Sequence, residues 1–298
     1  MSVLKLRSAK TILLMAGLLL GASGPVAGQT LAPFKDRLFS YKRILETSRN
    51  GDFLVVEYSK QRDLHGRDKV PEREVFGNYV SYQPRRSRQG YDLQANGRTV
   101  NFMGVGKVRG GASASVIYVH GQGGNRFQGV NDVTFGGNFN RIQNLMVRNG
   151  GAYLSAEFSD FGARGTADVA ALVQHQKMVS PNAKVVVACG SMGGIICWNL
   201  LKTPRYAAQI DGLILLGSPA DPAVLNPSVL QRRIPIHMSY GSDDAVYDWR
   251  QKAGFFDQIR SIAPGYPIRF TLFDTGSHGT PIRMTDWRSV LNWMFSLH

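Results

Sequence analysis

The chain has 298 residues, 43% hydrophobic and 19% charged, a balance that excludes wholesale disorder and allows one large domain with a buried core. Its formal charge is +14, and the excess is uneven: residues 29–110 hold 16 Lys/Arg against 9 Asp/Glu, whereas residues 111–298 hold 16 against 12. Such a charge draws a protein to anionic surfaces such as phospholipid headgroups or acidic polymers, or serves only solubility; without a recognition motif it does not predict nucleic-acid binding.

Lys5, Arg7 and Lys10 precede an apolar run over residues 12–22, and small residues lead on to Val26-Ala27-Gly28. This is the basic, apolar, small-residue order of a secretory signal peptide, with cleavage expected after Gly28 and a periplasmic or secreted mature domain over residues 29–298. The run falls short of the roughly 17–25 apolar residues that a retained anchor needs, and no cysteine follows it to carry a lipid.

Residues 53–58 (FLVVEY) have the β-branched and aromatic character of a first strand. Residues 61–89 are charged and weakly periodic, with a short strand expected at 76–82, and Arg85-Arg86-Ser87-Arg88 reads as a solvated loop. Residues 91–94 and 98–105 flank Asn96-Gly97, a pair that tolerates positive φ at both central positions of a tight turn and so predicts a hairpin. These segments are expected as antiparallel strands at the N-terminal edge of a sheet.

After Gly110-Gly111, strand-like runs alternate with helical patterns: residues 115–119, 152–158, 184–189, 212–216, 235–240 and 268–273. Runs apolar on both faces suit a parallel sheet covered by helices. Helices are expected at 166–179 with Thr166 as N-cap, at 192–203 stopped by Pro204, and at 285–297. The fold class is therefore α/β, a mostly parallel twisted sheet flanked by helices. The stretch 217–234 is too short for an inserted lid domain, which leaves any site at that end of the sheet open.

The chemistry centres on residues 184–194 (KVVVACGSMGG), where a β-branched run gives way to small residues around Ser191. That pattern predicts a strand, a sharp turn and a helix, with Ser191 at the apex and the Met192 N–H beside it as a donor to a developing oxyanion. Cys189 stands where the usual Gly-x-Ser-x-Gly pattern has its first glycine. Cys189 ends the strand and Cys197 lies two turns into the helix, a demanding geometry for a bridge, so two buried free thiols are expected.

A serine hydroxyl becomes a useful nucleophile only beside a base, and the base must be held in one tautomer by a carboxylate. Both are found after Ser191, each following a strand run: Asp244 in YGSDDAV (240–246) and His278 in TGSHG (275–279). Asp243 is an adjacent rival for the carboxylate and Asp221 a weaker one. The turn YVHGQGG (118–124) ends another strand and makes the Gln122 N–H a second oxyanion donor, with His120 read as a brace for that turn. The remaining histidines, His65, His175, His237 and His298, have no ligand spacing, so neither a metal nor an organic cofactor is expected. The loop 125–139, with Phe127, Phe135 and Phe139, either lines an acyl pocket or packs itself.

On these motifs, in the order oxyanion turn, Ser, Asp, His, residues 111–298 resemble the α/β-hydrolase superfamily, most closely its small lidless carboxylesterase and thioesterase-like members. The resemblance implies Ser191 as nucleophile, His278 as general base and acid, and Asp244 as the orienting acid. It implies a serine hydrolase of carboxylic esters or thioesters; the leader pattern makes it an exported one, and the lack of room for a lid makes lipid or envelope-linked acyl groups candidate substrates. The alternatives are an acyltransferase using the same residues and a non-catalytic envelope-binding module on the same fold.

Overall fold

The computed structural model describes residues 30–297, so the expected leader and His298 lie outside it. The N-terminal third comprises the short helix α1 (Asp36–Phe39), strands β1 (Ile44–Ser48) and β2 (Phe53–Glu57), the ribbon β3 (Asp68–Val70) with β4 (Glu74–Val75), and the hairpin β5 (Gln89–Ala95) and β6 (Arg98–Gly106). There follow β7 (Ala114–Val119), α2 (Asn138–Arg148), β8 (Ala152–Ala156), α3 (Ala163–Val179), β9 (Lys184–Gly190), α4 (Gly194–Lys202) and α5 (Pro204–Ala207). The chain ends with β10 (Gly212–Leu216), α6 (Pro227–Leu230), β11 (Ile236–Gly241), α7 (Trp249–Ile262), β12 (Ile268–Asp274), α8 (Thr280–Met284) and α9 (Trp287–Phe295). Among the described residues no helix is long and apolar enough to cross a membrane.

Ten strands form one sheet in the order β1-β2-β12-β11-β10-β9-β7-β8-β6-β5. Every pairing from β2 across to β8 is parallel, and antiparallel pairs close both edges. The N-terminal strands therefore divide between the two edges instead of gathering at one. The hairpin turns at Asn96 (φ 53°) and Gly97 (φ 71°) as its sequence predicts, and pairs on to β8. The run FLVVEY goes to the far side, where Phe53 stacks on Phe270 of β12 at 4.8 Å and covers an apolar strand that would otherwise be an open edge.

Alternate residues of the central strands feed two separate cores, as the two-residue period of a strand requires. Val185, Val187, Leu213 and Leu215 pack with Val169 and Leu172 of α3, Ile196 and Leu200 of α4 and Phe256 of α7. Val186, Ala188, Ile214 and Leu216 pack on the other face with Ile142 and Leu145 of α2 and Leu291 and Met294 of α9. The all-apolar runs are thus the consequence of helices on both sides.

Four local expectations need correction. No strand runs over 76–82; residues 77–79 make a single 3-10 turn, and the strand is the two-residue β4 just before it. Helix α3 begins at Ala163, so Thr166 is not the cap but an interior residue whose Oγ1 donates to the Gly162 carbonyl at 2.7 Å. The Arg85-to-Arg88 run is not simply solvated: Arg85 and Arg88 both donate to the buried carboxylate of Asp132, at 2.8 and 2.5 Å. Finally, Cys189 and Cys197 form a disulfide rather than two free thiols. The sharp turn after β9 folds α4 back along its own strand, and both residues face the same core between strand and helix, which brings the Cα atoms to 6.3 Å.

Candidate active site

The chain leaves β7 for β8 on one side and returns through α3 to β9 on the other, which opens a crevice at the C-terminal ends of β7 and β9. Ser191 stands there, one residue past β9, with a left-handed φ of 48° that an ordinary serine avoids. The turn is possible because its neighbours lack side chains. A Cβ at Gly193 would lie 2.7 Å from the His120 carbonyl, and one at Gly121 would lie 2.8 Å from the Ser191 Cβ. The two strand ends therefore approach backbone to backbone.

The loops after β11 and β12 supply the other two groups. They are sewn together by backbone bonds, Ser242 N–H donating to the Phe273 carbonyl and Asp243 N–H to the Gly276 carbonyl, both at 2.9 Å. His278 Nε2 lies 2.9 Å from Ser191 Oγ, and His278 Nδ1 lies 2.8 Å from Asp244 Oδ2. The other carboxylate oxygen, Oδ1, accepts from the N–H groups of Val246 at 2.8 Å and Tyr247 at 3.1 Å. Burial pushes the Asp244 carboxyl up, but the His278 bond and these two N–H groups outweigh it and leave it below its ordinary value. An ionised Asp244 selects the tautomer with the proton on Nδ1, so that Nε2 faces Ser191 as an acceptor.

Of the three candidate carboxylates, Asp244 is the one that touches His278 among the described residues. Asp243 is exposed and takes a bond from its neighbour Ser242. Asp221 pairs with Lys202 and caps the turn at Ala223.

No family model matches the chain, and no curated protein matches its sequence. Solved structures do match. An esterase of Pyrococcus furiosus superposes with a TM-score of 0.53 at 16% identity, over 76% of this chain and 98% of its own. A thermostable esterase of Pseudomonas putida superposes with a TM-score of 0.51 at 14% identity, over 70% of this chain and 80% of its own. The chain has the α/β-hydrolase fold.

The two expected oxyanion donors follow neighbouring strands of this fold. Val119 and Cys189 are paired in register on β7 and β9, and Gln122 and Met192 each follow three residues later, flanking the Gly121–Ser191 approach. His120 stands outside the hydrogen bonds that join Ser191, His278 and Asp244. Its Nδ1 lies 2.8 Å from the Gly121 carbonyl and its ring stacks on Phe158 at 4.3 Å, so it braces the turn. The stretch between β10 and β11 holds only single-turn helices, and its first residue, Gly217, lies against His278.

One residue at the site has no counterpart among the sequence motifs. The Tyr247 ring sits 5.6 Å from that of His278. Burial, then the charge of Asp244, pushes this phenol up, so it stays protonated and can donate. The only signal in the sequence is its position three residues beyond Asp244, in the loop whose N–H groups hold that carboxylate.

The three phenylalanines of the 125–139 loop part company. Phe139 is core, edge-on to Tyr118 at 4.7 Å, whereas Phe127 is exposed. Phe135 lines a cavity of about 280 Å³ beside His278. Among the described residues no group of His, Cys, Asp or Glu is arranged to hold a metal ion.

Proposed function

We propose that this protein is a serine hydrolase of carboxylic esters or thioesters. The observation that carries the reading is the continuous hydrogen-bond sequence from Ser191 through His278 to Asp244, with the serine held at a left-handed turn. In this reading His278 Nε2 takes the Ser191 proton as Oγ attacks the acyl carbon. The tetrahedral oxyanion is held by the N–H groups of Gln122 and Met192. The carbonyl re-forms as the bond to the leaving alcohol or thiol breaks, and His278 gives that group its proton. Water then repeats the sequence, releasing the acid and restoring Ser191.

Export of the mature domain is part of the proposal. Its supports are the leader-like residues 1–28 and the Cys189–Cys197 bridge, since disulfides persist in oxidising compartments. N-terminal sequencing of protein recovered outside the cytoplasm should begin at Gln29. The remaining surface charge makes peripheral contact with anionic membranes a secondary expectation; turnover on anionic and neutral vesicles across a salt series tests it, and equal rates would remove it.

The deciding experiment treats wild type and Ser191→Ala with a fluorophosphonate probe and with p-nitrophenyl esters of short and long chains. Labelling and turnover are expected in wild type and lost in the variant. Folded wild type that neither labels nor turns over would overturn the reading in favour of a binding module.

A further inference from the structure

The cavity beside His278 is lined by Tyr58, Phe135, Ser277, Thr280, Glu72 and Arg283, together with Gly279 and His278 itself. None of these belongs to the β7 or β9 turns that carry the oxyanion donors. If His278 returns the proton to the leaving oxygen, as proposed above, the leaving alcohol must stand on the His278 side, within hydrogen-bond reach of Nε2. The cavity, which His278 itself lines, stands on that side.

Its charge is specific. Arg283 is the lining cation, and it is already committed: Nη1 and Nη2 donate to both oxygens of Asp68 at 2.9 and 2.7 Å, and Nη1 also reaches the Asp63 carbonyl at 3.2 Å. Glu72 is the lining carboxylate, it is exposed, and among the described residues it has no ion-pair partner. Its backbone N–H donates to Asp68 Oδ2 at 2.8 Å, so the carboxylate that neutralises Arg283 also positions Glu72. The lining of this compartment thus presents one carboxylate outside any ion pair, while the second nearby guanidinium, Arg67, is buried behind the lining, donating to the Gly136 carbonyl at 2.8 Å and lying over the rings of Phe39 and Tyr79. Beside that carboxylate stand the rings of Tyr58 and Phe135, whose electron-rich faces attract cations.

We propose that this cavity binds a cationic alcohol, an ammonium or quaternary ammonium group held by the Glu72 carboxylate against the rings of Tyr58 and Phe135. The proposal rests on the serine-hydrolase reading and names the class of its leaving group.

The test compares acetylcholine with 3,3-dimethylbutyl acetate, the same shape with carbon in place of nitrogen. Wild type is expected to show a KM lower by about tenfold for the charged ester, and tetramethylammonium should compete with p-nitrophenyl acetate. Glu72→Gln should raise KM for acetylcholine by about tenfold while leaving the neutral ester within about twofold, and Phe135→Leu should act in the same direction. Equal KM values for the two esters in wild type, an equal effect of Glu72→Gln on both, or a preference for an ester whose alcohol carries a phosphate would overturn the proposal. Loss of fluorophosphonate labelling in wild type would overturn the hydrolase reading and this with it. Labelling and p-nitrophenyl turnover without charge discrimination would overturn the cation site alone.

Discussion

Replacing Gly121 by alanine tests the close approach of β7 and β9 on which the proposed active site depends. The added methyl would lie 2.8 Å from the Ser191 Cβ and 3.2 Å from the Gly190 carbonyl, where ordinary contact begins at 3.4 Å. The turn must therefore open by about 0.6 Å on the side of the nucleophile. That displaces Ser191 from its 2.9 Å contact with His278 and shifts the Gln122 N–H that follows. Misplacements on this scale cost about 10- to 100-fold in rate, or roughly 1.4–2.7 kcal/mol in the barrier. The control is Gly111→Ala, three residues before β7, where no atom lies within 4 Å but φ is +70°. That change is expected to cost about 1–2 kcal/mol of stability through the left-handed backbone and to leave kcat/KM unchanged at 25 °C. Steady-state kinetics on p-nitrophenyl acetate with parallel thermal melts separate the two. A folded Gly121→Ala protein with wild-type kcat/KM would refute the argument, because the site would then tolerate the displacement that the geometry forbids.

Asp244→Asn should lower kcat by about 10³–10⁴-fold, since the amide no longer selects the useful tautomer of His278. Because the Asp244 carboxyl is held below its ordinary 3.8, its ionised form stabilises the fold above that pH and the contribution fades as pH falls through the lower folded value. The urea midpoints of wild type and Asp244→Asn should accordingly differ at pH 7 and converge in acid; a gap that does not change with pH would contradict the linkage. Removing the bridge with Cys189→Ala and Cys197→Ala opens a loop of 8 residues' separation, worth about 2.5 kcal/mol, and should lower Tm by about 5–10 °C. Fluorophosphonate labelling at 25 °C should survive in that double variant, since Gly121, Gly193 and the core around α4 still hold the turn. Asp68→Asn leaves the Arg283 guanidinium buried without its counter-charge, at a cost of about 3–5 kcal/mol, and Arg283→Met in the same chain should recover part of the lost Tm.

Much of the architecture is legible in the sequence because its signals are local. A run such as residues 212–216, apolar at every position, needs cover on both faces wherever it lies, and Asn96-Gly97 forms its turn from its own backbone preferences. The small residues around Ser191, and the glycines beside Asp244 and His278, mark three strand ends by residue type alone. Helix α2 is not legible in this way. Asn138, Asn140, Arg141, Gln143 and Asn144 are all buried, and many of their partners, among them the Ile282 and Thr285 carbonyls, Ser81, Arg88, Asp36 and Asp286, lie far away in the chain.

By itself the sequence determined most of the elements, their faces and the chain order of Ser191, Asp244 and His278, since β-branched runs and turn glycines act through neighbours a few residues away. The tertiary structure decided what depends on distant partners. It sent β2 to the far edge and chose Asp244 over Asp243 as the partner of His278. It also set the Tyr247 ring against that of His278 and, among the described residues, left Glu72 without an ion pair in the cavity next to His278. Contacts between residues dozens or hundreds of positions apart are set by how the sheet is ordered and how its loops converge, and local preference carries no record of either.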